Sequence, residues 1–378
     1  MKLQRKNGFR ALTLGALAVS GALVLSACGS DDNTDGDKPS DGKSTAAAAG
    51  DVKCAGSGEL LASGSSAQKN AVDQWVKDFQ AACSGLTVNY KPVGSGAGIQ
   101  EWLNGQTAFA GSDSPLKPEE LEASKKICTG GQGINIPMVG GPIAVVFNVE
   151  GVDKLSLDAA TMADIFSGKI TKWDDEAIKK LNPDASLPGT KIQPVHRSDE
   201  SGTTDNFTKY LNSVAPDAWK WEHDKKWPVE GGQAADGSSG VASQVGQTSG
   251  SISYVELSYA TGSSLKTVDV ATGAATPVAA TIENASKAIS VAKKTGTGSD
   301  LALEMDYATK EEGAYPIVLV TYEIACDKGN KADTLEAVKS FLGYTASEAG
   351  QASLNAAGYA PLPAELVTEV NKVVAALA

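Results

Sequence analysis

The chain has 378 residues, 42% hydrophobic, 21% charged and 6% aromatic, which is too much core material for a small disulfide scaffold or a wholly disordered chain and suits about two globular domains. Thirty-three Lys and Arg against 45 Asp and Glu leave a formal charge of −12, a field that repels nucleic acid and anionic lipid. Only His196 and His223 are available to a zinc site, so metal catalysis of that kind has almost no ligands to draw on.

The N-terminus reads as an export signal. Lys2, Arg5, Lys6 and Arg10 precede an apolar run over 11–25, which is shorter than the ~20 residues needed to span the hydrocarbon core. Leu25-Ser26-Ala27-Cys28 follows as a cleavage box. Loss of residues 1–27 takes the formal charge from −12 to −16. Residues 28–53 are mostly Asp, Gly, Ser, Thr and Ala with no large apolar residue before Val52, a composition that buries too little surface to fold and serves as a tether with a reach of roughly 25–30 Å. Four further cysteines, Cys54, Cys83, Cys128 and Cys326, favour two disulfides outside the cytoplasm over a metal or redox site. Three connectivities are open.

From residue 54 strands and helices alternate, the pattern of an α/β fold with a largely parallel sheet. A strand is expected over 59–62 and an amphipathic helix over 67–82, with Val72, Trp75, Val76 and Phe79 at helical spacing. A strand over 86–93, a short helix over 99–104 and a strand over 107–111 follow. Residues 134–148 are apolar but interrupted by Pro137 and Gly140-Gly141, which suggests one strand leaving a domain and a second entering the next. Helices are expected over 157–166 and 175–181, a strand over 192–196 and a helix over 203–214. The stretch 231–240 reads as a polar glycine-rich loop before a short helix over 241–246 and a strand over 252–255. The chain closes with a strand over 317–325 and helices over 332–342 and 366–377.

Three places share one grammar, a strand ending in a Gly/Ser/Thr cluster where a helix begins: Gly64-Ser65-Ser66, Gly94-Ser95-Gly96-Ala97-Gly98 and Arg197-Ser198-Asp199-Glu200-Ser201-Gly202-Thr203. Free N–H groups and the positive end of the helix dipole make each a seat for an anion, while the plainer reading is that Ser and Thr cap the helices. Three such junctions in one α/β chain, one beside Arg197, point to a converging anion site. Enzyme signatures are missing: no G-x-S-x-G elbow, phosphate loop of the G-x-x-x-x-G-K-[ST] type or H-E-x-x-H occurs. His196 ends an apolar strand and reads as a packed histidine, not a base. Trp219, Trp221 and Trp227 read as packing rather than as a sugar platform.

These junctions closely resemble the phosphate-binding proteins of bacterial ABC-type phosphate importers. The matching segments, in the same order, are Gly64-Ser65-Ser66, 90–98 (YKPVGSGAG), 109–113 (FAGSD), 164–175 (DIFSGKITKWDD), 197–203 (RSDESGT) and 250–256 (GSISYVE). DIFSGKITKWDD and RSDESGT together are the most specific. The resemblance implies a two-lobed type II periplasmic-binding-protein fold, α/β, with the ligand cleft between lobes joined by two crossover strands. The first lobe would be 54–139 plus 317–378 and the second 140–316, with Gly140-Gly141 and Tyr315-Pro316 as hinges. Under that topology Cys54 pairs with Cys83 and Cys128 with Cys326.

The same resemblance places ligand groups on Ser66, Ser95, Asp113, Arg197, Ser201, Gly202 and Thr203, with the backbone N–H of Ala67. Asp199 supports the Arg197 guanidinium. The family often has an aromatic residue where Ala67 stands and a threonine where Ser66 stands. A singly protonated phosphate offers acceptor oxygens and one O–H, so the best site has many donors and one acceptor, here Asp113. With Arg197 the only positive charge among these groups, oriented N–H and hydroxyl dipoles must carry most of the binding. Resemblance to the lipobox implies cleavage before Cys28 and acylation with chains such as palmitate. The protein is thus expected to be a monomer held on the outer face of the cell membrane, without cofactor, metal or catalysis, that passes inorganic phosphate to the permease of an ABC importer. A receptor for another oxyanion such as sulfate, a secreted phosphohydrolase and a phosphate sensor are the alternatives.

Overall fold

The computed structural model describes residues 52–378, so the cleavage box, Cys28 with its acylation and the tether up to residue 51 lie outside the described residues. In the first segment, β1 (Gly58–Gly64) leads to α1 (Lys69–Ala82), β2 (Leu86–Lys91), α2 (Ser95–Leu103) and β3 (Phe109–Ser112). Helix α1 forms where the spacing puts it, with Ala71, Val72, Trp75 and Phe79 on its buried face. Burying side chains of this size stabilises the fold by roughly 1.5–3 kcal/mol each. Trp75 also donates its indole N–H to Gly350 O at 2.8 Å, so the ring is buried without an unpaired donor.

The chain then runs through β4 (Gly133–Asn148), β5 (Gln193–Arg197), α3 (Gly202–Val214), β6 (Gln233–Ala235), α4 (Gly237–Gln247), β7 (Ser251–Glu256) and β8 (Val318–Cys326). The sheet order is β2-β1-β3-β8-β4-β7-β5-β6, with the short strand Lys266–Thr267 also on β4. β1 pairs in parallel with β2 and β3, and β5 pairs in parallel with β6 and β7. Between these two parallel sets stand β4 and β8, antiparallel to each other and to their neighbours. Every residue of β8 and all of β4 but Asn148 are buried, which explains the near-continuous apolar runs. Within each set the strands point their C-terminal ends the same way, and the three antiparallel pairings between β3 and β7 run the two sets in opposite directions, so the junctions after β1 and β3 approach the site from one side and the junction after β5 from the other.

The expected break in 134–148 does not occur, because β4 is one strand of 16 residues. Pro137 is absorbed by a bulge, where the register with β8 shifts between Thr321 and Tyr322. Gly140 lies within the continuous strand beside Ile289, whose Cδ1 a Cβ there would approach to 2.4 Å and displace. The strand serves two partners in succession, β8 up to Pro142 and β7 from Ile143.

Helix α2 starts at Ser95, four residues before the expected 99, with Gly94 at φ +89° as its first cap. Its glycines permit contact between elements, since a Cβ at Gly98 would lie 2.2 Å from Gly64 Cα. The 231–240 loop also needs correction, because it contains β6 and the first turn of α4. Helices Pro118–Ser124, Leu257–Gly262 and Ile282–Ser290 were not anticipated. Cys54 is bonded to Cys83 and Cys128 to Cys326. The tryptophans pack in a cluster, with Trp227 5.6 Å from Trp219 and stacked on His196 at 5.2 Å between centroids.

Candidate functional site

Strand β1 ends at Gly64, and the turn that follows is pinned at several atoms. Ser65 N donates to Gly111 O at 2.8 Å, Ala67 N to Ser65 Oγ at 3.0 Å, and Tyr259 OH to Ser66 O at 2.8 Å. Tyr359 OH donates to Ala67 O at 2.6 Å. At the second junction, Ser95 Oγ accepts from the backbone N–H of both Asp113 and Gly202, each at 3.2 Å, and donates to Asp113 Oδ2 at 3.2 Å. One hydroxyl thereby ties the ends of β3, α2 and α3 together.

The third junction begins at Arg197, the last residue of β5 and 2% exposed. Its guanidinium grips Asp199 with two bonds, Nε to Oδ1 at 2.7 Å and Nη2 to Oδ2 at 2.5 Å. Asp199 Oδ1 also accepts from Gly237 N at 3.1 Å, which fixes the start of α4. Ser201 caps α3, its hydroxyl accepting from Thr204 N at 3.4 Å. Thr203 donates from Oγ1 to Glu256 Oε1 at 2.5 Å.

All the residues expected to hold ligand, Ser66, Ala67, Ser95, Asp113, Arg197, Ser201, Gly202 and Thr203, are buried. The structure brings the three junctions together and adds a fourth. Ser238, in the first turn of α4, shares a 3.0 Å hydroxyl bond with Ser66, donates its N–H to Ser66 Oγ at 3.1 Å and accepts from Arg197 Nη1 at 3.3 Å. Sequence reasoning missed Ser238, although Asp236-Gly237-Ser238-Ser239-Gly240 repeats the strand-to-helix grammar of the other three junctions. It also missed Glu256, the last residue of 250–256, which is 3% exposed and keeps Oε2 unpartnered.

The electrostatics follow from this burial. Asp113, 3% exposed with Oδ1 unpartnered, has its pKa pushed up to about 7, chiefly by burial and further by Glu256, against the pull of Ser65, Arg197 and Ser95. Burial works against the charge on Arg197, but the Asp199 carboxylate more than offsets it and holds the guanidinium protonated. Burial likewise opposes the charge on Asp199, and Arg197 holds its carboxyl below the usual range. The arrangement presents hydroxyls, helix-start N–H groups and one fixed guanidinium together with a buried carboxyl oxygen that lacks a donor. A tetrahedral oxyanion bearing a proton supplies both the acceptors and the donor that such a set lacks. His196 lies outside it, with its ring nitrogens on Arg197 O and Gly231 O. Among the described residues no group of three or more His, Cys, Asp or Glu could hold a metal ion, and no helix is long and apolar enough to cross a membrane.

A family model for the PBP superfamily domain matches residues 43–349. The phosphate-binding protein PstS 3 of Mycobacterium tuberculosis is 45% identical over 381 residues, covering 100% of both chains. The chain belongs to the phosphate-binding protein family. Phosphate-binding protein PstS of Xylella fastidiosa is 37% identical over 306 residues, 79% of this chain and 80% of its own. The solved phosphate binding protein of Stenotrophomonas maltophilia shares the fold at a TM-score of 0.65 and 19% identity, with 84% of this chain and 94% of that one covered. Family membership accounts for the two parallel strand sets flanking β4 and β8, the type II periplasmic-binding architecture.

Proposed function

We propose that the protein captures inorganic phosphate outside the cytoplasm and delivers it to the permease of an ABC importer, as a binding protein without a chemical step. The observation that carries this reading is Asp113: a buried carboxyl among donors, with one oxygen lacking a partner. A ligand O–H would complete it. Phosphate then receives hydrogen bonds from Ser66, Ser95, Ser201 and Thr203 and from the backbone N–H groups of Ala67 and Gly202. Arg197, held by Asp199, supplies the charge-assisted pair. On ligand entry the N–H groups of Ala67 and Gly202 and the hydroxyls of Ser66, Ser95 and Thr203 exchange their present partners for phosphate oxygens.

Residues 54–139 plus 317–378 form one lobe and 140–316 the other, with closure bringing the junctions after β1 and β3 onto those after β5. The protein is a monomer anchored through acylated Cys28. Above the Asp113 pKa of about 7 sulfate is disfavoured, because it is fully ionised and offers the carboxylate no proton. Calorimetric titration of the fragment from about residue 50 with phosphate, arsenate and sulfate tests the reading. Tight phosphate binding with sulfate rejected is expected, and equal binding of sulfate would overturn it. Hydrolysis of a chromogenic phosphate ester would instead favour an enzyme. Cys28→Ala should leave an unlipidated precursor, and an acylated product by mass spectrometry would refute the anchor.

A further inference from the structure

Between Trp221 and Trp227 runs a charged stretch, His223-Asp224-Lys225-Lys226, that none of the ligand roles uses. Its side chains reach both of the proposed lobes, and they differ in burial. Asp224 Oδ2 accepts from Lys117 Nζ at 2.7 Å and Lys226 Nζ pairs with Glu200 at 3.0 Å, but these two pairs are open to solvent and screened. Lys225 is 2% exposed. Its Nζ donates to both carboxyl oxygens of Glu120, at 3.2 and 3.4 Å, and its backbone O accepts from Ser201 N at 3.0 Å.

Each end of Lys225 thus holds a segment that carries ligand groups. Glu120 stands in the first turn of the helix Pro118–Ser124, where its Oε2 also accepts from Lys117 N at 2.8 Å, and this helix follows closely on Asp113-Ser114. Ser201 caps α3, which opens with Gly202 and Thr203. The two segments meet again at Asn206 Nδ2, which donates to Asp113 O at 2.7 Å and to Gly202 O at 2.8 Å, and at Ser114 Oγ, which donates to Asp205 Oδ2 at 2.6 Å. Removing one member of a buried pair strands the other charge out of water, so the pair favours the one arrangement in which both are matched. We propose that Lys225 and Glu120 are positioning residues whose buried ion pair sets the Asp113 segment against the start of α3, and so fixes the spacing between the acceptor and the donors of the anion site. Asp205 and Asp224 are the other carboxyls that bear on Lys225, but Ser114 and His223 already hold the first and Lys117 the second. Neither replaces Glu120.

The first test needs no ligand. Glu120→Gln keeps an acceptor for Lys117 N but loses the charge, so in the full-length chain without phosphate it should speed amide hydrogen exchange about tenfold in 113–124 and 201–206 while leaving β1 and α1 as in wild type. Exchange that is unchanged, or that speeds equally throughout the chain, would overturn the proposal. The second test rests on the phosphate reading. In calorimetric titration with inorganic phosphate, Glu120→Gln and Lys225→Met should each bind about tenfold more weakly, and the double variant no more weakly than either, because all three lose the same interaction. Unchanged binding in both single variants, or losses that multiply to about a hundredfold in the double variant, would also overturn it. If Glu120→Gln does not fold, Lys225→Met decides by both measurements. Wild type that fails to bind phosphate refutes the function and leaves the exchange result to decide the positioning role.

Discussion

Residues 58–113 and residues 197–256 both bring strand-to-helix junctions to the site, but with different chemistry. The first stretch supplies Ser66, Ser95 and Asp113, hydroxyls and a carboxyl with no basic group among them. Its surroundings are stapled by Cys54–Cys83 and Cys128–Cys326. The second supplies Arg197 with Asp199, the start of α3 and Glu256. It has no cysteine and rests on an aromatic cluster in which Phe207 stacks on Tyr254 at 4.4 Å and meets Phe166 at 5.1 Å. In the proposed function one side therefore reads the ligand's proton and the other its charge. Affinity and selectivity should then be separable by mutation.

The largest expected effect comes from breaking the charged side. Arg197→Ala should weaken binding of every oxyanion by about 2–5 kcal/mol, because a buried charge-assisted partner is lost. Asp113→Asn on the other side keeps the volume and can offer N–H donors, so it should relax sulfate rejection more than it weakens phosphate binding. Titration of both variants with both anions checks the contrast. Unchanged phosphate binding in Arg197→Ala, or undiminished sulfate rejection in Asp113→Asn, would dissolve the division of labour.

Asp113 also gives its side a pH signature. Its carboxyl titrates at about 7 in the folded protein against an ordinary 3.8 when unfolded, so between these values the native state holds a proton that the unfolded chain has released. Stability of the ligand-free protein should therefore be highest below about pH 4 as far as this group is concerned, and fall by up to about 4 kcal/mol as pH rises to about 7. Subtracting the denaturation profile of Asp113→Asn from that of wild type isolates the slope. Superimposable profiles would mean that Asp113 is better solvated than its burial indicates.

The covalent asymmetry can be sharpened too. Cys128–Cys326 closes a separation of 198 residues and Cys54–Cys83 one of 29. In the chain-entropy account the shorter loop contributes about 3–4 kcal/mol and the longer about 5 kcal/mol. Denaturation of Cys128→Ser/Cys326→Ser should show the greater loss of stability. Equal losses in the two double variants would indicate that something other than loop closure sets their worth.

Much of this was legible in the sequence, for identifiable reasons. Helix α1 declares itself by the spacing of Val72, Trp75 and Phe79, and three junctions by their Gly/Ser/Thr clusters. Where glycine and proline had more than one physical use, the sequence was ambiguous. Gly140 and Pro137 looked like punctuation, yet one accommodates Ile289 and the other a bulge within a continuous strand. The glycines of 231–240 hid a helix start in the same way. Glu256 lies in a buried strand, where nothing local distinguishes a carboxyl facing a site from one in the wrong place. Only the register across β3, β4, β7 and β8 brings it near the junctions.

The smallest expected effect concerns the contact that links the two sides. Ser238 Oγ lies between Ser66 Oγ at 3.0 Å and Arg197 Nη1 at 3.3 Å, so it joins the turn after β1 to the guanidinium at the end of β5. Ser238→Ala removes that hydroxyl but leaves the backbone N–H on Ser66 and the two bonds from Arg197 to Asp199. The loss should be about 1 kcal/mol, or roughly fivefold in phosphate affinity. Because Ser238 touches both sides without being the proton-reading group, the phosphate-to-sulfate ratio should stay as in wild type. Titration with the two anions distinguishes the outcomes. A shift in that ratio would make Ser238 part of the selectivity set with Asp113, and a loss as large as that of Arg197→Ala would mean that its hydroxyl holds the guanidinium in place.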